Sequence, residues 1–232
     1  MKMPLKRTQG SAHENKNLLN QVLALYNHIF IDRDISKCVC RADEFFDITI
    51  GKTPPRKEHQ WFSKIKKNIT WISISDMGNS ELYLTDSSEY LTPEAVKKFH
   101  VSVVPDDTVL LSFKLTVGRI GITDGAMTSN EAIAHFKTLD HKINPYLYCY
   151  LTNFNFQSLG NTSSIATAVN SKIIKAMPFV IPDKLDLRQF NEIAIPAFKL
   201  IKDNQREIRN LSNIRDSLLP RLMSGKLDVY DL

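Results

Sequence analysis

The residues of this 232-residue chain best suited to chemistry are cations. Lys52, Arg56, Lys57, Lys64, Lys66 and Lys67 face one acid, Glu58, within residues 52–67, so this stretch carries a net charge equal to the +5 of the whole chain. Cations gathered in this way neutralise phosphates, and an arginine fork matches a guanine edge, which singles out Arg56. Thr53-Pro54-Pro55 opens the stretch in an extended conformation, because a residue before proline avoids the α region. Trp61 and Phe62 lie among the charges. The pattern points to DNA or RNA, with a merely solvated basic loop as the plainer alternative. A second set, Ser112, Lys114 and Thr116, alternates onto one face of what reads as a strand, with Arg119 just beyond.

Groupings that would support catalysis are not found. His13, His28, His59, His100, His135 and His141 have no H-x-x-x-H or H-x-x-E-H spacing, and there is no Gly-x-Ser-x-Gly or Walker loop. Gly118-Arg-Ile-Gly121 matches the G-x-x-G of KH domains only formally, since its flanks read as strands rather than helices. Asn144-Pro145-Tyr146 lacks one proline of the amino-methyltransferase box, and no Gly-rich cofactor loop accompanies it. Asp43, Glu44 and Asp47 read as solvated acids. Cys38 and Cys40 are one residue apart, not the C-x-x-C of a zinc site, and with Cys149 they are too few for a disulfide framework, which suits a reducing cytosol. No apolar run approaches the roughly 20 residues of a membrane span. We therefore expect no catalytic residue, metal, cofactor or membrane, and a cytoplasmic location.

The elements that must position the cations follow from periodicity. Residues 1–16 read as a polar, disordered lead. A helix follows over 17–31, where Leu18, Leu19, Val22, Leu23, Tyr26, Ile29 and Phe30 share a face. Residues 32–183 read as a sheet domain, with short apolar runs from Phe45, Ile69, Val101 and Val109 punctuated by turns at Gly51, Gly78, Pro105 and Gly125. Short helices are expected at 92–99, capped by Thr92, and at 145–153, opened by Asn144. A last apolar strand at 178–182 precedes a helical tail over 184–232. There Phe190, Ala197, Asn204, Leu211 and Leu218 recur every seven residues, with Ile193, Leu200 or Ile201, Ile208 and Ile214 between them, a coiled-coil pattern. Asn204 either fixes register or faces solvent. Pro196 is expected to kink the tail or restart it, leaving about 36 Å of straight helix over 196–219. The pairing surface is expected to combine Leu19, Val22 and Tyr26 with Ala197, Leu200, Asn204, Ile208, Leu211, Ile214 and Leu218. The fold class is α+β.

Three tail segments, Gln189-Phe-Asn-Glu-Ile-Ala-Ile-Pro-Ala-Phe198, Asn204-Gln-Arg-Glu-Ile-Arg-Asn-Leu211 and Ile214-Arg-Asp-Ser-Leu-Leu-Pro-Arg-Leu-Met-Ser-Gly-Lys-Leu-Asp-Val229, resemble the conserved helix of type I restriction-modification specificity subunits. Gly51-Lys-Thr-Pro54, Ile69-Thr-Trp-Ile72, Val109-Leu-Leu-Ser112, Gly118-Arg-Ile and Ile181-Pro182 are similar to the target recognition domain of that family. The resemblance implies a non-catalytic subunit that reads half of a split duplex DNA site and docks methyltransferase and restriction subunits through paired helices. The chain has room for one recognition domain, which implies a homodimer or pairing with a second specificity half. Under that resemblance the DNA-binding set is Lys52, Thr53, Arg56, Lys57, Lys64, Lys66 and Lys67, with Lys114, Thr116 and Arg119 as a weaker second set. The alternative is a coiled-coil adaptor or orphan specificity protein without DNA readout. A small methyltransferase is disfavoured by the missing cofactor loop.

Overall fold

The computed structural model describes residues 3–33, 38–160 and 169–224. In chain order the elements are α1 (Met3–Tyr26), β1 (Cys38–Arg41), α2 (Ala42–Phe45), β2 (Asp47–Ile50), β3 (Phe62–Ser63), β4 (Ile69–Ile72), α3 (Ile74–Asn79), β5 (Tyr83–Leu84), β6 (Glu89–Leu91), α4 (Pro93–Phe99), β7 (Val109–Ser112), β8 (Ile120–Thr123), β9 (Thr128–Ser129), β10 (Ile133–Lys137), α5 (Asn144–Asn153), α6 (Ser171–Lys175), β11 (Pro178–Ile181) and α7 (Lys184–Met223). A five-stranded sheet has the order β2-β10-β7-β8-β5, a four-stranded sheet the order β3-β6-β4-β9, and β1 pairs with β11 alone. All pairings are antiparallel except β4 with β9 and β5 with β8.

The large sheet is buried on both faces, which is why β7 reads as a continuous apolar run rather than an alternation. Val109 and Leu111 point to the cluster that includes Tyr146, Phe179 and Phe190, while Leu110 points to the opposite cluster with Ile72, Met77 and Met127. On the first face Tyr26, Phe30, Tyr146 and Phe190 meet with ring centroids 4.8–6.2 Å apart. Burial of each such ring stabilises the fold by roughly 1.5–3 kcal/mol.

The two terminal helices pair antiparallel, Tyr26 meeting Phe190 while Asn15 meets Asn204. Val22, Tyr26, Phe190, Ala194, Ala197 and Ile201 are buried along the seam, with Leu19, Ile208, Leu211 and Leu218 half-buried. Asn204 takes the register role, donating to Asn15 Oδ1 at 2.9 Å. Leu200 and Ile214, expected in the seam, are 42% and 53% exposed. The seam continues at Ala194, Ile201 and Ile208, four residues after Phe190, Ala197 and Asn204, so the positions three residues on, such as Leu200 and Ile214, turn outward.

Several expectations are corrected. Residues 3–16, expected as a disordered lead, form the first turns of α1, which Asn15 anchors by hydrogen bonds to Asn204 and Glu81. The first helix gives way to a π-helical turn at Asn27–Ile31. Phe45 closes α2 instead of starting a strand, and Val101 and Val103 are in no strand, only Val104 bridging to Met127. Thr92 caps α4 as expected, accepting from Ala95 N at 3.2 Å, whereas Asn144 does not cap α5 but donates to Asp107 O at 2.6 Å. Pro196 neither ends nor restarts α7: it lies on the exposed face, where water reaches the carbonyl it leaves unpaired. The 40-residue helix is therefore about 60 Å long.

Candidate nucleic-acid interface

The register of the large sheet brings the two sequence-predicted sets to one end. Ile50 pairs with Ala134, so the next residue, Gly51, reaches Ile133, its N–H donating to Ile133 O at 3.0 Å. Ile133 pairs with Ser112, whose N–H donates to Arg119 O at 2.9 Å. Gly51, Ile133, Ser112 and Arg119 thus form one rung, beyond which the chain carries Lys52 and Thr53 on one side and residues 113–118 on the other. Two strand spacings separate β2 from β7, about 10 Å.

Close packing fixes this end. A side chain on Gly51 would stand 2.1 Å from Asn130 O, so only glycine lets β2 leave the sheet here. Lys52 is tied by its backbone, donating to Ser129 O at 2.8 Å and accepting from Trp71 Nε1 at 3.2 Å, while its ammonium is exposed. Thr53 Oγ1 donates to the Glu131 carboxylate. Beneath the rung, buried His135 bridges Ser129 Oγ at 2.6 Å and Thr49 Oγ1 at 3.1 Å, and burial pushes its pKa down to about 4.

The second set corrects the expected strand face. β7 ends at Ser112, and Lys114 and Thr116 lie in a tight turn instead of alternating along a strand. Ser112, fully buried, stitches that turn: its Oγ donates to Thr116 O at 2.6 Å and accepts from Arg119 N at 3.0 Å. Lys114, Leu115 and Thr116 are exposed. Arg119 is directed inward, Nη1 donating to Ile74 O at 2.6 Å, and it packs so closely on Gly78 that a β-carbon there would lie 2.3 Å from Nη1. Its guanidinium anchors α3 to the sheet.

The first set divides. Arg56 lies over the rings of Phe62 and Trp71, 4.4 and 4.5 Å from their centroids, and donates to Glu89 Oε2 at 2.6 Å. Lys64 donates to Ser88 O at 2.9 Å, and Lys66 to Asp86 Oδ2 at 2.7 Å. Lys52, Lys57 and Lys67 are exposed, with no ion pair among the described residues. The acids that pair with the loop's cations lie in 86–89, which places Asp86 and Glu89 among residues the charge count overlooked; their signal was proximity across β3 and β6, invisible in a linear reading.

Asp86 also joins the loop to α7, accepting from Arg209 Nη2 at 3.2 Å and from the Tyr90 hydroxyl. Burial opposes its charged form, yet the hydrogen bonds from Lys66 and Tyr90 hold its carboxyl below the usual range. Burial and the Asp86 hydrogen bond push the Tyr90 hydroxyl up to about 12. Further along α7, Gln205 accepts from Tyr83 N at 3.0 Å, Arg209 donates to Thr85 O at 2.7 Å, and Arg206 and Lys202 pair with Asp124. α7 therefore covers the open edge of β5 and aligns the sheet with the helix. The acids near β1 are paired for structure, Asp43 with Arg41 and Asp47 with Lys137.

This arrangement is a basic loop and a rigid turn at one end of a sheet, held at fixed orientation to a helical spacer. A sequence model of the type I restriction modification DNA specificity domain matches residues 37–210, three quarters of the chain. The chain belongs to that family. As a specificity domain it is non-catalytic. It is 23% identical over 184 residues to the type I restriction enzyme HindI specificity subunit of Haemophilus influenzae, covering 78% of this chain and 39% of that protein. To the MjaIX specificity subunit of Methanocaldococcus jannaschii it is 27% identical over 225 residues, covering 87% and 47%. It thus spans less than half the length of these curated relatives.

The fold of the specificity domain is shared with solved structures. The type I restriction-modification S subunit from M. genitalium superposes with a TM-score of 0.58 at 14% identity, covering 94% of this chain and 57% of that one. The HsdS subunit from Thermoanaerobacter tengcongensis superposes with a TM-score of 0.53 at 15% identity, covering 95% and 54%. The α+β class and the long C-terminal helix expected for the domain agree with them. No helix of the described residues is long and apolar enough to cross a membrane.

Proposed function

We propose that this chain reads one half of a bipartite duplex DNA site through the end of the large sheet that carries Lys52, Thr53, Lys114 and Thr116. The observation that carries this reading is the shared rung of Gly51, Ile133, Ser112 and Arg119, which sets two exposed polar segments about 10 Å apart, within one groove width of DNA. Lys57 and Lys67 add phosphate contacts, while Arg56, Lys64 and Lys66 hold the loop in shape. Arg119 drops out of the DNA-binding set.

The helix pair docks methyltransferase and restriction subunits and joins this half to a second copy or a second specificity half, in the cytoplasm. Exposed Ile193, Leu200 and Ile214, spaced in multiples of seven along α7, favour an outer docking face. Selection of the chain on a randomised duplex pool tests the reading: a short enriched motif, present as two inverted copies at fixed spacing, is expected. An adaptor without DNA readout is the second reading, favoured by the internal pairing of Arg56, Lys64 and Lys66; in that case no duplex is enriched while a protein partner is retained.

A further inference from the structure

Leu115 is 98% exposed at the tip of the turn between β7 and β8, and its φ is +60°. Folding thus buries nothing of this side chain, and it holds a backbone conformation that glycine or asparagine would adopt at lower cost. The turn is not loose. Thr116 N donates to Lys114 O at 2.7 Å, Gly118 N donates to Ser112 O at 3.0 Å, and Gly118 takes φ +91° against the Phe156 ring. A strained turn held by these hydrogen bonds aims one branched apolar side chain into solvent, with Val117 beside it 39% exposed. Lys114 and Thr116 flank it, and Lys52 projects from the same end of the sheet.

We propose that Leu115 is an apolar wedge that enters between two base pairs of bound duplex DNA, with Lys114 and Thr116 on the adjoining phosphates. The inference rests on the DNA-recognition reading above and adds to it a residue that distorts the duplex. A wedge of this kind unstacks one base step and bends the duplex toward more protein surface. Charge selects the occupant. Leu139 is equally exposed, yet it sits at the opposite end of the sheet, where Asp47 and Asp140 offset Lys137 and Lys184.

The test uses the full chain and duplexes it enriches from a randomised pool, with 2-aminopurine placed in turn at each step. The wild-type chain is expected to raise 2-aminopurine fluorescence at one step. Leu115→Gly, which relieves the backbone and so keeps the turn folded, should abolish that rise and weaken binding about 10-fold with the salt slope unchanged. Leu115→Met should restore both, and Lys114→Ala should lower the salt slope while keeping the rise. Wild-type complexes without any fluorescence rise, or a rise that survives in Leu115→Gly, overturn the inference alone. Retention of no duplex by the wild-type chain overturns the DNA-recognition reading and the inference with it.

Discussion

Lys66 and Arg209, from the basic loop and from α7, donate to the same oxygen, Oδ2 of Asp86, at 2.7 and 3.2 Å. The loop and the helical spacer are therefore coupled through one carboxylate, which also accepts from the Tyr90 hydroxyl and Ser87 N. Asp86→Ala should destabilise the fold by about 1–3 kcal/mol, because it leaves these donors without their acceptor. Lys66→Ala should cost under about 1 kcal/mol, since that ammonium is largely exposed. Urea unfolding of the two variants checks the ranking.

The cations should separate by role. Lys57→Ala and Lys67→Ala should weaken binding to every duplex alike, each lowering the salt slope by about 1, without loss of stability. Arg56→Ala should act on the fold, costing about 1–2 kcal/mol through the lost contacts with Phe62, Trp71 and Glu89. Salt titrations beside thermal unfolding distinguish the two classes; a sequence-selective binding loss in Arg56→Ala at full stability would return it to base readout.

The inner and outer faces of α7 should respond differently. Phe190→Ala should cost about 3–5 kcal/mol, since the ring is fully buried against Tyr26 and Phe30. Leu200→Asp should leave stability within about 0.5 kcal/mol and abolish capture of the methyltransferase subunit. Calorimetry and a pull-down with that subunit read both.

Much of this plan was legible before the fold was known. Thr92-Pro93 announced α4 because a hydroxyl cap and a proline at the first position satisfy helix geometry locally. The failures at the candidate interface were non-local. Arg119 looked like a surface cation until Gly78 brought α3 against it, Ser112 looked like a strand face until its hydroxyl closed the turn, and Arg56 looked free until β6 supplied Glu89. Leu200 misled because both it and Ile201 suit the heptad count, and the seam takes Ile201, four residues after Ala197.

Acid should weaken the protein through His135. Its pKa falls from the ordinary 6.5 to about 4 in the folded state, so between those values the unfolded chain binds more protons and stability declines as pH falls. The full loss amounts to about 3 kcal/mol. His135→Gln, which keeps hydrogen-bonding capacity toward Ser129 and Thr49, should flatten the profile over pH 6.5 to 4 in urea unfolding at stepped pH.

With one end of the large sheet facing DNA, charge reversal at the two ends of the sheet must act unequally on binding. Binding of a duplex pool would be measured by anisotropy at several salt concentrations for Lys52→Glu/Lys114→Glu and for Lys184→Glu/Arg188→Glu, the latter pair being exposed at the start of α7. The first double variant should lose at least about 100-fold in affinity and about two units of salt slope, with the second close to wild type. Equal losses from both, or a loss confined to the second, would mean that DNA does not meet the Lys52 and Lys114 end of the sheet.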